Sequence, residues 1–269
     1  MTNLKRTPLV SVIMGIYNSN NKKELIRSLK SIKSQSLTDW ECIICDDHSE
    51  DDTYDFLMQY TRNDSRFIII KNEKNMGLGF SLNKALEKAK APYIIRQDVD
   101  DYSSQNRFEK LYLYMEEHRE IDVLGTGMVL YDEDGEWGNY KIRTLNAKKN
   151  DFLIGTVVAH PSVIMRTKSL RACDGYRIAR ETRRCEDYDL FMRMYAKGYK
   201  ICNIDEKLYY YKANRNGNKR KFKNVVNESI VRAKGFKILG IGIKGFPYIM
   251  KPYILYFVPD RLKKRIKGT

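Results

Sequence analysis

The chain has few cysteines, no membrane-spanning run and none of the common nucleophile or phosphate-loop signatures. Its 269 residues include five cysteines, an odd number at irregular spacing. That argues against a disulfide framework and for a reducing compartment. Cys42 and Cys45 form a C-x-x-C, but inside the apolar run WECIICDD and without a second pair, so core packing explains them better than zinc or redox chemistry. The first residues, MTNLKRTPLVSVIMGIYN, lack the long apolar core and small-residue cleavage site of a secretory signal, so a cytoplasmic location is expected. No Walker A pattern, H-E-x-x-H or G-x-S-x-G occurs, and GLGF (77–80) lacks the third glycine of a dinucleotide fingerprint. There is no internal repeat.

The net charge of +15 is unevenly spread. From Lys212 onward 16 Lys and Arg face only Glu228 and Asp260, which leaves residues 1–211 at a net +1. A near-neutral body with a basic C-terminal segment calls for an anionic partner, lipid or nucleic acid. Within 236–268 the lysines at 237, 244 and 251 break the apolar runs, and Pro247, Pro252 and Pro259 interrupt any helix. A bilayer span needs ~20 apolar residues. An interfacial segment fits better, with Tyr248, Tyr253, Tyr256 and Phe257 at headgroup level and RLKKRIK on anionic lipid. The alternative is an amphipathic helix packed on the body. Peripheral attachment to the inner face of the cell membrane is the expectation. A metal-dependent nucleic-acid-binding protein is the competing reading, weakened by the neutral body.

The first 120 residues alternate apolar strands with helix-like segments: strands at 9–17, 40–46, 66–72 and 92–97, helices at 24–35, 51–62, 78–90 and 107–118. This predicts an α/β fold with a mostly parallel central sheet covered by helices. Ligands of such sheets bind beyond the carboxyl ends of the strands. Those ends carry Tyr17, then Asp46 and Asp47, then Asp98 and Asp100. Further on, EIDVLGTGMVLYDEDGEWGNY reads as a strand and a turn-rich loop, HPSVIMR (160–166) as a strand, and EDYDLFMRMYAKG (186–198) as a helix with Leu190, Phe191 and Met194 facing inward. The loops at 131–160 and 174–186 show no legible specificity signal.

Each cluster has two readings. Asp98, Asp100 and Asp101 in YIIRQDVDD crowd like charges, which suits a divalent cation bridging phosphates or else a solvated turn. Asp46 and Asp47 could accept from a nucleobase or ribose, or could cap the next helix. Glu186 and Asp187 open a helix, either as dipole stabilisers or with Asp187 as a general base. His160 before Pro161 is either structural or lines the pocket.

The order PLVSVIMGIYN, IICDDHSEDDT, NMGLGFSLNKALEKAKAPYIIRQDVDD, HPSVIMR, CEDYDLFMRMYAKGYK, LYYYK resembles the bacterial inverting glycosyltransferases of family 2, with the GT-A fold, over residues 8–215. The resemblance implies a GT-A domain over 1–211 with a basic amphipathic extension, 212–269. It implies a nucleotide-sugar donor, UDP-linked, and a glycan or lipid-linked glycan acceptor. It places Tyr17, Asp46 and Asp47 near the base, Asp98 at the ribose or metal, and Asp100 on Mn²⁺ or Mg²⁺ at the diphosphate. His160 falls near the sugar, Glu186 beside the acceptor, and Asp187 is the base. Two departures stand out: Asn214 where relatives carry His, and Gly15 where a larger residue is frequent, which is expected to loosen the base pocket. These leave open a non-catalytic partner subunit. The processive signature Q-x-x-R-W is absent, so single-sugar transfer is expected.

Overall fold

The structure is a computed structural model that describes residues 7–19, 21–215 and 221–258. Its first half follows from four runs apolar on both faces. Strands β1 (Val10–Ile16), β2 (Trp40–Asp46), β3 (Phe67–Lys71) and β4 (Tyr93–Arg96) pair in parallel, in the spatial order β3-β2-β1-β4. Helices α1 (Lys22–Lys33), α2 (Thr53–Thr61) and α3 (Leu78–Lys88) connect them. The two-residue strand period divides the core. Ile13, Ile43 and Ile94 join one apolar cluster, and Val12, Met14, Ile44 and Ile95 join the other.

Beyond β4 the sheet is no longer parallel throughout. After β5 (Tyr102–Ser103), α4 (Arg107–Glu117), β6 (Val123–Asp132) and β7 (Gly135–Tyr140), β8 (Ile164–Arg166) returns antiparallel to β4. The connection from β4 to β8 is not a single crossover helix, which is what ordinarily enforces parallel pairing. The sheet continues β8-β6-β9-β5, where β9 is Ile201–Lys212, parallel to β6.

Two local expectations change. The segment read as a turn-rich loop is the second arm of a hairpin, with β7 paired to β6 through Gly135 at φ +112°. Its sequence, GEWGNY, is glycine-rich and solvent-facing, so it lacks the alternation that marks a half-buried strand. HPSVIMR opens not as a strand but as a 3-10 turn over His160–Ser162. Pro161 has no N–H to give a ladder, and Ser162 N–H donates back to Ala159 O at 3.0 Å.

The remaining helices are α5 (Thr167–Ala172), α6 (Glu186–Ala196), α7 (Phe222–Ile238) and α8 (Phe246–Phe257). Leu190, Phe191 and Met194 of α6 are fully buried. Helix α7 packs on α6, and its Val231 and Phe236 join the cluster that contains Ile13 and Ile94. Gly235 permits this approach, because a Cβ there would lie 2.2 Å from Met192 Sδ. Helix α8, with Pro252 inside it, leaves Phe246, Ile254 and Phe257 exposed. No helix among the described residues is long and apolar enough to cross a membrane. RLKKRIK and Pro259 lie outside the described residues.

Gly175 lies in the connection between α5 and α6, in the left-handed region at φ +59°, and a Cβ there would sit 2.4 Å from Asn83 Oδ1. That oxygen accepts the Tyr176 N–H at 2.8 Å, while Asn83 Nδ2 donates to Tyr176 O at 2.8 Å. Gly175→Ala is expected to lower the stability by about 1–3 kcal/mol, read as a shift of the urea midpoint at unchanged slope.

Candidate active site

The loop after β2 is built by two adjacent carboxylates with separate tasks. Asp46 is fully buried and accepts from Ser49 N–H at 3.0 Å and from Ser49 Oγ. Asp47 accepts from Asn72 Nδ2 at 2.7 Å, Met76 N–H at 2.8 Å and Gly77 N–H at 2.7 Å, and so fixes the turn that starts α3. Tyr17, at the end of β1, is 44% exposed and free to stack on a ligand. Gly15 does not loosen this region: a Cβ there would meet Leu78 Cδ1 at 2.9 Å, so Leu78 already fills the space.

At the end of β4 the three aspartates differ. Asp98 pairs with the fully buried guanidinium of Arg96, and its own N–H and Tyr209 Oη lie 2.9 Å apart. Burial alone would lower the Arg96 pKa, but the Asp98 carboxylate and the Tyr176 and Tyr209 hydroxyls outweigh it and leave it raised. Asp100 reaches solvent yet has protein on most sides; desolvation, then the charge of Asp98, raises its pKa. Asp101 is buried, and its carboxyl is pushed well up by burial and by both neighbours. One of its oxygens accepts Lys212 N–H at 2.7 Å and the other has no partner among the described residues. Asp101 thus ties β9 to the site, and Lys212, the first residue of the basic segment, also pairs with Glu24.

The second carboxylate pair opens α6. Asp187 is pushed up to about 6, by burial first and Glu186 next, against the Tyr188 N–H and Arg96. Glu186 is also raised by burial. His160 Nε2 lies 2.7 Å from Tyr176 Oη, and burial together with Arg96 holds the imidazole well below its ordinary value, hence neutral. Tyr211 joins the two carboxylate groups: burial, then Asp101, Asp98, Asp100 and Asp187 in that order, push its hydroxyl up to about 12. Asp98, Asp100, Glu186, Asp187 and His160 are therefore brought into one electrostatic neighbourhood. Asp46, by contrast, faces the protein interior. Sequence reasoning missed Arg96, Tyr176, Tyr209 and Tyr211. The available signals were an arginine inside the apolar strand YIIR and, for Tyr209 and Tyr211, the motif LYYYK, to which no role was attached.

Among the described residues no three His, Cys, Asp or Glu side chains converge as a ready-made metal cage. A divalent ion completed by phosphate oxygens and water takes only one or two carboxylates. Solvent-facing Asp100, with Asp98 beside it holding one oxygen on Arg96, fits that donor set.

Residues 11–173 match the family model "Glycosyl transferase family 2". EpsE of Bacillus subtilis (strain 168) is 38% identical over 96% of this chain and 92% of its own. The Escherichia coli UDP-Glc:alpha-D-GlcNAc-diphosphoundecaprenol beta-1,3-glucosyltransferase WfaP is 31% identical over 88% of each chain. Among solved structures, S. aureus TarS 1–349 in complex with UDP-GlcNAc superposes with a TM-score of 0.69 at 20% identity, over 94% of this chain and 77% of that one. The mannosyltransferase PcManGT of Pyrobaculum calidifontis, in complex with GDP-Man and Mn²⁺, gives 0.63 at 13% identity, over 91% and 74%. The fold is that of the GT-A glycosyltransferases. The alternation of strands, the carboxylates at their ends and the matched residues lead to one statement: the chain belongs to glycosyl transferase family 2.

Proposed function

We propose that this glycosyltransferase moves a single sugar, with inversion, from a UDP-sugar to a hydroxyl of a cell-surface glycan precursor in polysaccharide biosynthesis. The observation that carries the reading is Asp187: a carboxyl raised to about 6, at the mouth of α6, in the same field as Asp98 and Asp100. A base with that pKa is mostly ionised at neutral pH and still able to take a proton. TarS in complex with UDP-GlcNAc and the UDP-Glc donor in the name of WfaP support the donor class, and WfaP supports a lipid-linked acceptor.

Asp187 removes the proton of the acceptor hydroxyl. The oxygen attacks the anomeric carbon from the face opposite the diphosphate, the bond to the leaving oxygen breaks with its electron pair, and configuration inverts. Glu186 borders the acceptor and neutral His160, hydrogen-bonded with Tyr176, lines the sugar. Tyr17 and Asp47 receive the base, while buried Asp46 shapes their loop through Ser49. Asp98 meets the ribose or the ion's ligand shell. Asp100 and Asp98 would hold Mn²⁺ or Mg²⁺, which when bound offsets the charge gathering on the departing diphosphate. Mn²⁺ beside GDP-Man in PcManGT supports this assignment. Residues 1–211 form the catalytic domain and 212–269 an extension that holds the enzyme at the inner membrane face, through the exposed apolar face of α8.

Asp187→Asn should lower kcat by roughly 10²–10⁴-fold. In the wild type kcat should fall as pH drops through about 6 and level off above it, since the base must be ionised. The same raised pKa means that ionised Asp187 costs stability above pH 6. Asp187→Asn should then melt higher than wild type at pH 8, the difference vanishing near pH 4. Wild-type turnover in Asp187→Asn rules out the base assignment.

Asp100→Ala should abolish Mn²⁺-dependent release of UDP from UDP-sugars while leaving the fold intact by circular dichroism. A thermal-shift screen of UDP-, GDP-, dTDP- and CDP-sugars with Mn²⁺ should single out a UDP-sugar, and stabilisation by another nucleotide class instead overturns the donor.

A further inference from the structure

A cavity of about 500 Å³ lies between the start of α3 and the loop that leads into α6. Leu78, Gly79 and Ile178 line it, together with Arg180, Arg183 and, from the start of α7, Lys223. Glu186 is the sole carboxylate in its wall, which puts the cavity beside the base Asp187. The charge accounting is uneven. Arg177, also in the wall, is neutralised by Glu181 at 2.8 Å and Asp189 at 2.7 Å. Asp189 is shared with Arg193, and Glu181 with Lys234 at 2.6 Å. Among the described residues no carboxylate pairs with Arg180, Arg183 or Lys223. Three uncompensated cations, two of them guanidinium forks, suit phosphate oxygens.

No residue of the Asp98–Asp101 turn lines this cavity, which sets it apart from the carboxylates proposed to hold the metal at the donor diphosphate. Next to Lys223, Phe222 packs against Tyr253, Tyr256 and Phe257 with ring centroids 5.2–6.3 Å apart. Phe222 is 45% and Phe257 74% exposed, an apolar surface that adjoins the cationic wall. We propose that this cavity holds the diphosphate of a lipid-linked acceptor, with Arg180, Arg183 and Lys223 neutralising it and the Phe222–Tyr256–Phe257 surface meeting the lipid. This deepens, and rests on, the acceptor role given above to Glu186 and Asp187.

The test is binding of decyl diphosphate, below its micelle concentration, and of inorganic pyrophosphate to the full chain in EDTA without Mn²⁺. Decyl diphosphate should bind saturably, and the double variant Arg180→Ala/Arg183→Ala should bind it at least about tenfold more weakly. Phe222→Ala should weaken decyl diphosphate but not pyrophosphate. The double variant should release UDP from the donor alone at the wild-type rate, which separates this site from the donor machinery. Unsaturable binding, unchanged affinity in the double variant, or loss of binding in Asp100→Ala overturns the proposal. Equal affinity for the two probes, indifferent to Phe222, overturns the lipid and points to free phosphate. Absent UDP release in the wild type with decyl diphosphate binding intact counts against the transferase reading and leaves this site standing.

Discussion

A guanidinium without access to water sits beneath the site. Arg96 is fully buried at the end of β4, and a buried charge is tolerated only when opposite charge and hydrogen bonds surround it. The surroundings are arranged accordingly. Asp98 pairs with it, its Nη1 donates to Gln97 O, and its field reaches Asp187, Glu186 and His160. A second buried cation, Arg107, braces it by donating to Arg96 O at 2.9 Å and Pro161 O at 3.0 Å. Burial and the nearness of Arg96 bring the Arg107 guanidinium down to about 10. Two cations below and five carboxylates above form one electrostatic unit, so the crowding of aspartates is partly relieved from within the protein.

Much of this was legible in the chain. The four parallel strands declare themselves as short apolar runs, three of them buried on both faces, and the carboxylates because they follow those strands. Three features were hidden. Arg96 reads as one polar letter in an apolar run, and only burial shows that it cannot be solvated. Strand β7 carries no alternation because it sits at an exposed edge. The loop at 174–186 seemed featureless because its charges are informative only in three dimensions, once Glu181 and Asp189 are matched with Arg177, Arg193 and Lys234.

The basic C-terminal segment divides in the same way. Composition treats its cations alike, but Arg232 is nearly buried, paired with Glu228 and bonded to Leu153 O, and Lys212 and Lys234 are bound to acids of the body. These hold α7 and β9 in place. Lys223 is among those that pair with no carboxylate among the described residues. A charge count overstates what is available outside the fold, because internal ion pairs consume part of it.

The clamp of Asp47 on Met76 and Gly77 has a mechanical meaning. These two residues line the cationic cavity, while the carboxylate that grips their N–H groups lies just beyond the carboxyl end of β2. One short turn therefore joins the end of β2 to the wall of the cavity. Whatever changes the Asp47 hydrogen bonds at one end reshapes the other, and thermodynamic linkage makes the effect mutual. The coupling would show as a change in affinity at one end when the other is occupied, carried by a turn that takes no part in the chemistry.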